Sequence, residues 1–439
     1  MRGSRKQAVH LITMGCSKNI VDSERLAAQL RFNDIEVTPL IDQADVAIIN
    51  TCGFIDAAKQ ESIDAIIEQV LRKGKSRLKK VYAMGCLTER YRVDLSKEIP
   101  EVDRFFGSDD LQDILQELGG SLRRDLLGER DLSTPSHTAY LKISEGCDNP
   151  CSFCAIPLMR GNHVSRPMED LVGEASALVG RGVKELVVVA QDTTSYGLDL
   201  YGKRTLALLI ERLADLPGLE WVRLMYAYPA KFPLDVLDVI AGHPHVCKYL
   251  DLPVQHAANP VLKSMRRGIT NRAQRDLIDT IREKVPGIAL RTTVIVGYPT
   301  EGLQEFSELL KFVETQVFDR LGVFTYSHEE GTAAFDLPDT MPQEEKQRRL
   351  SAVMELQQQI SLAKNEALIG SCQRVLVERK DDGQYFGRTE RDAPEIDQEV
   401  SFSASAPTLP GEFYDVVIDD ATEYDLYGHA TTDAPTSPS

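Results

Sequence analysis

The sequence predicts an α/β chain in three parts: an N-terminal parallel α/β domain, a partial (βα)6 barrel and a small C-terminal all-β barrel. Up to Gly370, short apolar runs alternate with segments of helical period, the pattern of parallel sheets. Beyond Gly370 the helical period stops, and five short alternating runs bounded by turn residues follow. A chain of 439 residues also exceeds what one hydrophobic core usually organises. The expected boundaries are 6–120, 133–368 and 371–430, with a polar tail at 431–439 expected to be disordered.

In the first part, Ala8 to Cys16, Asp45 to Gly53 and Lys79 to Cys86 are each a β-rich apolar run that reaches a cysteine beside a glycine. Each reads as a buried parallel strand. Ile63, Ile66, Ile67, Val70 and Leu71 recur at helix spacing and place a helix over 57–73. Sites in parallel sheets gather outside the carboxyl ends of the strands, which is where Cys16, Cys52 and Cys86 fall. A single cysteine is most often a small buried hydrophobe. Three at matched strand ends, each beside a glycine that lets backbone approach a bulky body, point to three ligands of one metal cluster.

In the second part the expected strands are 139–144, 185–190, 221–226, 249–254, 290–296 and 321–326. Helices are expected after them, over 168–179, 234–240, 272–283, 303–313 and 343–368 among others. Six such units make an open version of the eight-unit barrel, whose chemistry sits in the loops after the strands. The loop after the first strand carries Cys147-x3-Cys151-x2-Cys154. Iron–sulfur cubanes normally take four cysteines, and an open coordination position separates a catalytic metal from a structural one. The competing reading is half of a zinc site, with Cys151 and Cys154 as one ligand pair. That reading lacks a second C-x2-C, and no H-x3-5-H lies near a cysteine pair.

The chain is 42% hydrophobic and 27% charged, an ordinary globular composition. No apolar run is long enough to span a bilayer, and the run at 8–14 is too short for a secretory signal, so a cytoplasmic protein is expected. Eight cysteines in that compartment suggest metal binding or catalysis rather than disulfides. Cys247 and Cys372 stand alone and are expected to be packing residues. The net charge is −17, and residues 371–430 hold five Lys and Arg against fourteen Asp and Glu. Nucleic acid, whose phosphates need Lys and Arg, is therefore not expected as the direct substrate. An acidic module suits a basic protein partner.

With Phe153 before its last cysteine, the triplet resembles the radical S-adenosylmethionine (SAM) signature C-x3-C-x-aromatic-C. Together with the three N-terminal cysteines and a terminal barrel similar to the TRAM domain, the whole chain resembles the radical SAM methylthiotransferases. Gly387 to Asp397 (GRTERDAPEID), Lys142 to Gly146 and Pro253 to His256 resemble its RimO-like branch. The resemblance implies two [4Fe-4S] clusters, one on Cys147, Cys151 and Cys154 and one on Cys16, Cys52 and Cys86. It also implies SAM at the free iron of the first, with Phe153 against its adenine. Gln191, Asp192 and Gly297, in loops after the second and fifth strands, are candidate SAM contacts. Arg160, His163 and Arg166 are either a solvated basic face or partners of the SAM carboxylate. The implied reaction adds a methylthio group to the β-carbon of an aspartate in the twelfth small-subunit ribosomal protein, free or in the assembled small subunit. It would consume two SAM and need a low-potential electron donor and a sulfur source. The alternative within the family is methylthiolation of transfer-RNA isopentenyladenosine or threonylcarbamoyladenosine.

Overall fold

The computed structural model describes residues 6–126, 128–405 and 407–431, so the expected disordered tail lies, apart from Thr431, outside the described residues. The N-terminal sheet has five parallel strands in the spatial order Glu36–Val37, Ala8–Thr13, Val46–Thr51, Lys80–Gly85, Arg104–Phe105. Its central strand, Val46–Thr51, is buried at all six positions, as a sheet covered on both faces requires. Val46 and Ile48 pack on one side with Leu26, Leu30, Ile114 and Leu115 from helices Ser17–Phe32 and Leu111–Glu117. Ala47 and Ile49 pack on the other with Ile66, Leu87 and Leu95 from helices Asp56–Arg72 and Cys86–Glu98. The two edge strands have two residues each, too short to show a period.

Six parallel strands follow in sequential order: Thr138–Lys142, Glu185–Val189, Trp221–Leu224, Val246–Asp251, Ala289–Val296 and Arg320–Thr325. The first and last are the free edges, so the barrel is open. Its outer face holds a large apolar core shared with the surrounding helices, including Leu141, Val188, Leu209, Leu250, Ile278 and Phe312. Among the described residues, no helix is long and apolar enough to cross a membrane.

The third part is a closed five-stranded barrel built from Cys372–Asp381, Gln384–Thr389, Val400–Ser403, Phe413–Ala421 and Leu426–Ala430. A parallel pairing of Val400–Ser403 with Leu426–Ala430 closes it. It seats against the end of the large barrel where the strands begin. There Phe413 meets Trp221 edge to face at 4.8 Å. The segment Gly387 to Asp397 supplies the charges: Arg388 bonds Glu185 at 2.6 Å, Arg223 bonds the same carboxylate at 2.8 Å, and Asp392 pairs with Arg320 at 2.5 Å. Tyr249 donates to Asp397 at 2.8 Å. Burial opposes ionisation of Glu185, but Arg388 and Arg223 outweigh it and hold the carboxyl down at about 2. A buried ion of this kind persists only because its partners are complete.

The N-terminal domain covers the opposite end and touches both free edges of the open barrel. From helix Ser17–Phe32, Asp22 pairs with Lys142 at the end of the first strand, and Lys18 lies 3.1 Å over the ring of Tyr226. At the other edge, Arg90 and Lys59 pair with Glu329 at 2.6 and 2.9 Å.

Candidate functional site

Strand register alone brings the first three cysteines together. Thr51 is paired with Gly85, so Cys52 and Cys86 leave the sheet side by side. Thr13 is paired with Asn50, which carries Gly15 alongside Cys52 and sets Cys16 next to it. A Cβ added at Gly15, whose φ is +86°, would lie 2.7 Å from Cys52 Cβ and 2.9 Å from its Sγ. Only glycine leaves that space open. Cys16 caps helix Ser17–Phe32 and Cys86 begins helix Cys86–Glu98; helix N-termini favour negative charge on sulfur.

The second triplet sits on the loop after strand Thr138–Lys142. Ser144–Glu145 pairs with Val164–Ser165 to close this loop at its base. Gly146, at φ +73°, abuts the carbonyl of Asn162 where any side chain would collide. Ser152 ties the loop to the barrel, donating to Ser264 O at 2.7 Å and approaching Tyr298 Oη at 3.0 Å. Phe153 is half-buried against the cluster of Ala258, Tyr298 and Tyr326. All three cysteines here are half-buried.

Both sets receive hydrogen bonds to sulfur. Asn149 donates to Cys147 Sγ at 3.4 Å, Arg267 to Cys151 Sγ at 3.2 Å, and Arg160 to Cys86 Sγ at 3.1 Å. Burial pushes the thiols up, Cys147 and Cys86 to about 11 and Cys154 to about 12. Thiolates in such places require a bound cation to hold their charge. Among the described residues, no three His, Cys, Asp or Glu side chains close on one ion-sized point. The donor set, the space at Gly15 and the donors to sulfur suit two iron–sulfur clusters.

A chain of polar contacts joins the triplets. From Cys86 it runs through Arg160 to Glu145 Oε2 at 3.3 Å, and Gln191 donates to Glu145 Oε1 at 2.5 Å. Next to Gln191, Asp192 accepts from Asn149 at 2.8 Å, and Asn149 reaches Cys147. Arg160 also bonds Asp22 at 2.7 Å and Asn19 at 2.5 Å. Burial raises the Asp22 carboxyl, but Lys142 and Arg160 overcome it and hold it down at about 2.

Gln191 and Asp192, expected at SAM, thus lie between the two cysteine sets, and Asp192 also accepts from Thr194 and Ser195. Gly297, at φ +76°, is crowded by Lys346 Cγ, 2.5 Å from where its Cβ would be, so its glycine requirement is internal to the barrel. Arg160, His163 and Arg166 are not a solvated face. Arg160 and His163 are buried, and Arg166 pairs with Glu174 at 2.8 Å. Cys247 is buried as expected, but Cys372 is exposed, at the start of its strand, and is not part of a core. Asn19, Asp22, Glu145, Asn149 and Arg267 escaped the sequence reading. Asn149, lying between Cys147 and Cys151, could have been found; polar residues on the first turns of a helix look like any solvated face.

Known families account for most of the chain. Residues 8–107 match uncharacterized protein family UPF0004, residues 141–313 the radical SAM superfamily and residues 369–431 the TRAM domain. Ribosomal protein uS12 methylthiotransferase RimO of Cytophaga hutchinsonii is 53% identical over 97% of this chain and 98% of its own length. The RimO of Chloroherpeton thalassium is 54% identical over 97% and 99%. Among solved structures, the radical SAM methyltransferase TsrM from Kitasatospora setae, with tryptophan substrate and a SAM analogue, covers 73% of each chain at 14% identity. Its TM-score is 0.55, a likeness of fold. The open six-stranded barrel, the closed terminal barrel and near-full-length identity around one half agree, and the chain belongs to the ribosomal protein uS12 methylthiotransferase RimO family.

Proposed function

We propose that this chain attaches a methylthio group to the β-carbon of an aspartate of ribosomal protein uS12, with one [4Fe-4S] cluster held by Cys147, Cys151 and Cys154 and another by Cys16, Cys52 and Cys86. The observation that carries the reading is the meeting of two three-cysteine sets at one end of the open barrel, linked through Arg160, Glu145, Gln191, Asp192 and Asn149. When bound, the clusters and SAM would supply one-electron chemistry able to break an unactivated C–H bond, and SAM the methyl of the product. An aspartate β-C–H is not acidic enough for a side-chain base, so chemistry of this kind is needed.

The protein's own groups prepare the site. Three cysteines per set would hold a cubane at three corners and leave its fourth without a protein ligand. Asn149, Arg267 and Arg160 donate to ligand sulfurs, a contact that tunes cluster potential and fixes ligand orientation. Lys18 on Tyr226, Asp22 on Lys142 and Arg90 on Glu329 hold the N-terminal domain over the strand ends. The terminal barrel closes the other end through Phe413 and the Arg388–Glu185–Arg223 group. Exposed Asp381, Asp382, Glu395, Asp419 and Asp420 leave an acidic surface on the terminal barrel that a basic ribosomal protein would meet favourably.

Anaerobically reconstituted protein incubated with SAM, a reductant and either uS12 or transfer RNA tests the reading by mass spectrometry. The expected result is a mass gain on uS12 equal to SCH3 replacing H and none on transfer RNA. Methylthioadenosine in the RNA with unmodified uS12 would overturn it.

A further inference from the structure

A cleft of about 1150 Å³ opens on the outer surface of the large barrel, lined by Pro150, Lys231, Phe232, Lys263, Arg266 and Leu277 among others. Pro150 immediately precedes Cys151, and Arg267, next to Arg266, donates to Cys151 Sγ at 3.2 Å. The cleft therefore lies beside the first cysteine set, and its lining includes no residue of the N-terminal domain. Lys231, Lys263 and Arg266 are exposed, and none of them forms an ion pair among the described residues. The acid in the lining, Asp276, faces Arg272 at 3.8 Å. In a chain of net charge −17 these three free cations surround an apolar floor that includes Phe232, Leu262 and Leu277. These cations oppose the approach of a basic substrate at this cleft.

We infer that this cleft is the docking face for an acidic, low-potential one-electron carrier protein, and the inference rests on the radical SAM reading of Cys147, Cys151 and Cys154. One electron passes from the reduced carrier to the cluster on these cysteines, and the carrier leaves oxidised by one electron; no bond is made or broken in the step. Elsewhere the protein repels an acidic carrier. Here Lys231, Lys263 and Arg266 steer it to the wall formed by Pro150, the chain neighbour of Cys151.

The holoenzyme and the triple variant Lys231→Glu, Lys263→Glu, Arg266→Glu are to be compared in two assays. Calorimetry with oxidised flavodoxin, an acidic carrier, reads Kd; SAM cleavage is followed with reduced flavodoxin or with dithionite. The variant's Kd and KM for flavodoxin are expected to rise about tenfold or more at low salt, with added salt narrowing the gap and the dithionite rate staying within about twofold. Unchanged Kd and KM overturn the inference. So does an equal loss with both reductants, or loss of ribosomal RNA binding with flavodoxin affinity intact, which would give the cleft to nucleic acid. If the parent holoenzyme cleaves no SAM even with dithionite, the reading of the first cysteine set fails instead, while the calorimetric arm still decides the cleft.

Discussion

The two cysteine sets present the same number of sulfurs by opposite routes. Cys147, Cys151 and Cys154 fall within eight residues, on a loop closed by its own base pairing and by Gly146. Cys16, Cys52 and Cys86 lie 36 and 34 positions apart and meet only because three parallel strands hold one register. A local set costs little loop-closure entropy; a set gathered from distant strand ends forms only when the whole sheet has formed. The first set is thus a property of a segment and the second a property of a fold. Damage to either should separate cleanly.

The largest separation is expected from the ligands themselves. Cys151→Ala should bring SAM cleavage to background, because the first set cannot then hold its cluster. Cys52→Ala should keep reductant-driven cleavage, measured as 5′-deoxyadenosine, and make no methylthiolated uS12. Full product from either variant would break the comparison. Glycine substitutions sharpen it without replacing a cysteine. Gly15→Ala places a methyl 2.9 Å from Cys52 Sγ and Gly146→Ala one against Asn162 O. Both also force L residues to positive φ, at a cost of about 1–3 kcal/mol. Each should lower bound iron from about eight to about four atoms per chain, and only Gly146→Ala should lose SAM cleavage. Loss of cleavage in Gly15→Ala would show that the two sets are not independent.

A smaller effect is expected where the sets are coupled. Arg160 comes from the helix just after Cys154 yet bonds Cys86 Sγ at 3.1 Å and Asp22 at 2.7 Å. Arg160→Gln should cut methylthiolation about 10–100-fold, as loss of an outer ligand contact commonly does. SAM cleavage should change far less, and the potential of the second cluster, read by electron paramagnetic titration, should fall as its sulfur loses a donor. Arg160→Lys should restore part of the potential. A potential unmoved in both variants would reduce Arg160 to a packing role.

The same contrast explains what the sequence could disclose. The compact motif was legible because spacing along the chain is its geometry. The dispersed set was legible only through repetition: three apolar runs ending in cysteine beside glycine imply a shared sheet edge, and the pairing of Thr51 with Gly85 completes it. The six large-barrel strands and the five terminal ones were visible as periods, whereas Glu36–Val37 and Arg104–Phe105 are too short to carry one. The charge count located the acidic module but not which of its acids face outward. Of the fourteen acids in residues 371–430, Asp392 and Asp397 are turned inward onto Arg320, Tyr249 and Arg291, and Glu378 pairs with Arg388. Segment GRTERDAPEID, whose wording resembles the RimO-like branch, is in the structure the charged seal between two domains. Residues such as Asn19, Asp22 and Glu145 were hidden because their partners lie more than a hundred positions away or in loops without a period, and only tertiary packing distinguishes them from solvated polar residues.

The smallest expected effect is a pH dependence confined to the second set's support. Asp22 holds Lys142 and Arg160, and its carboxyl is lowered from 3.8 to about 2 in the folded protein. A group so depressed stabilises the fold above its unfolded value and loses that contribution as pH falls from about 4 to about 2, worth at most on the order of 2 kcal/mol. Cluster-free protein unfolded by urea should therefore lose stability across that window, and Asp22→Asn should be less stable near neutrality while showing a shallower acid slope by one proton. The variant's deficit should vanish toward pH 2, where the parent carboxyl is itself protonated. A deficit that stays constant from pH 7 to pH 2 would mean that the substituted amide disturbs packing rather than charge, and would leave Arg160 supported by Glu145 and Asn19 alone.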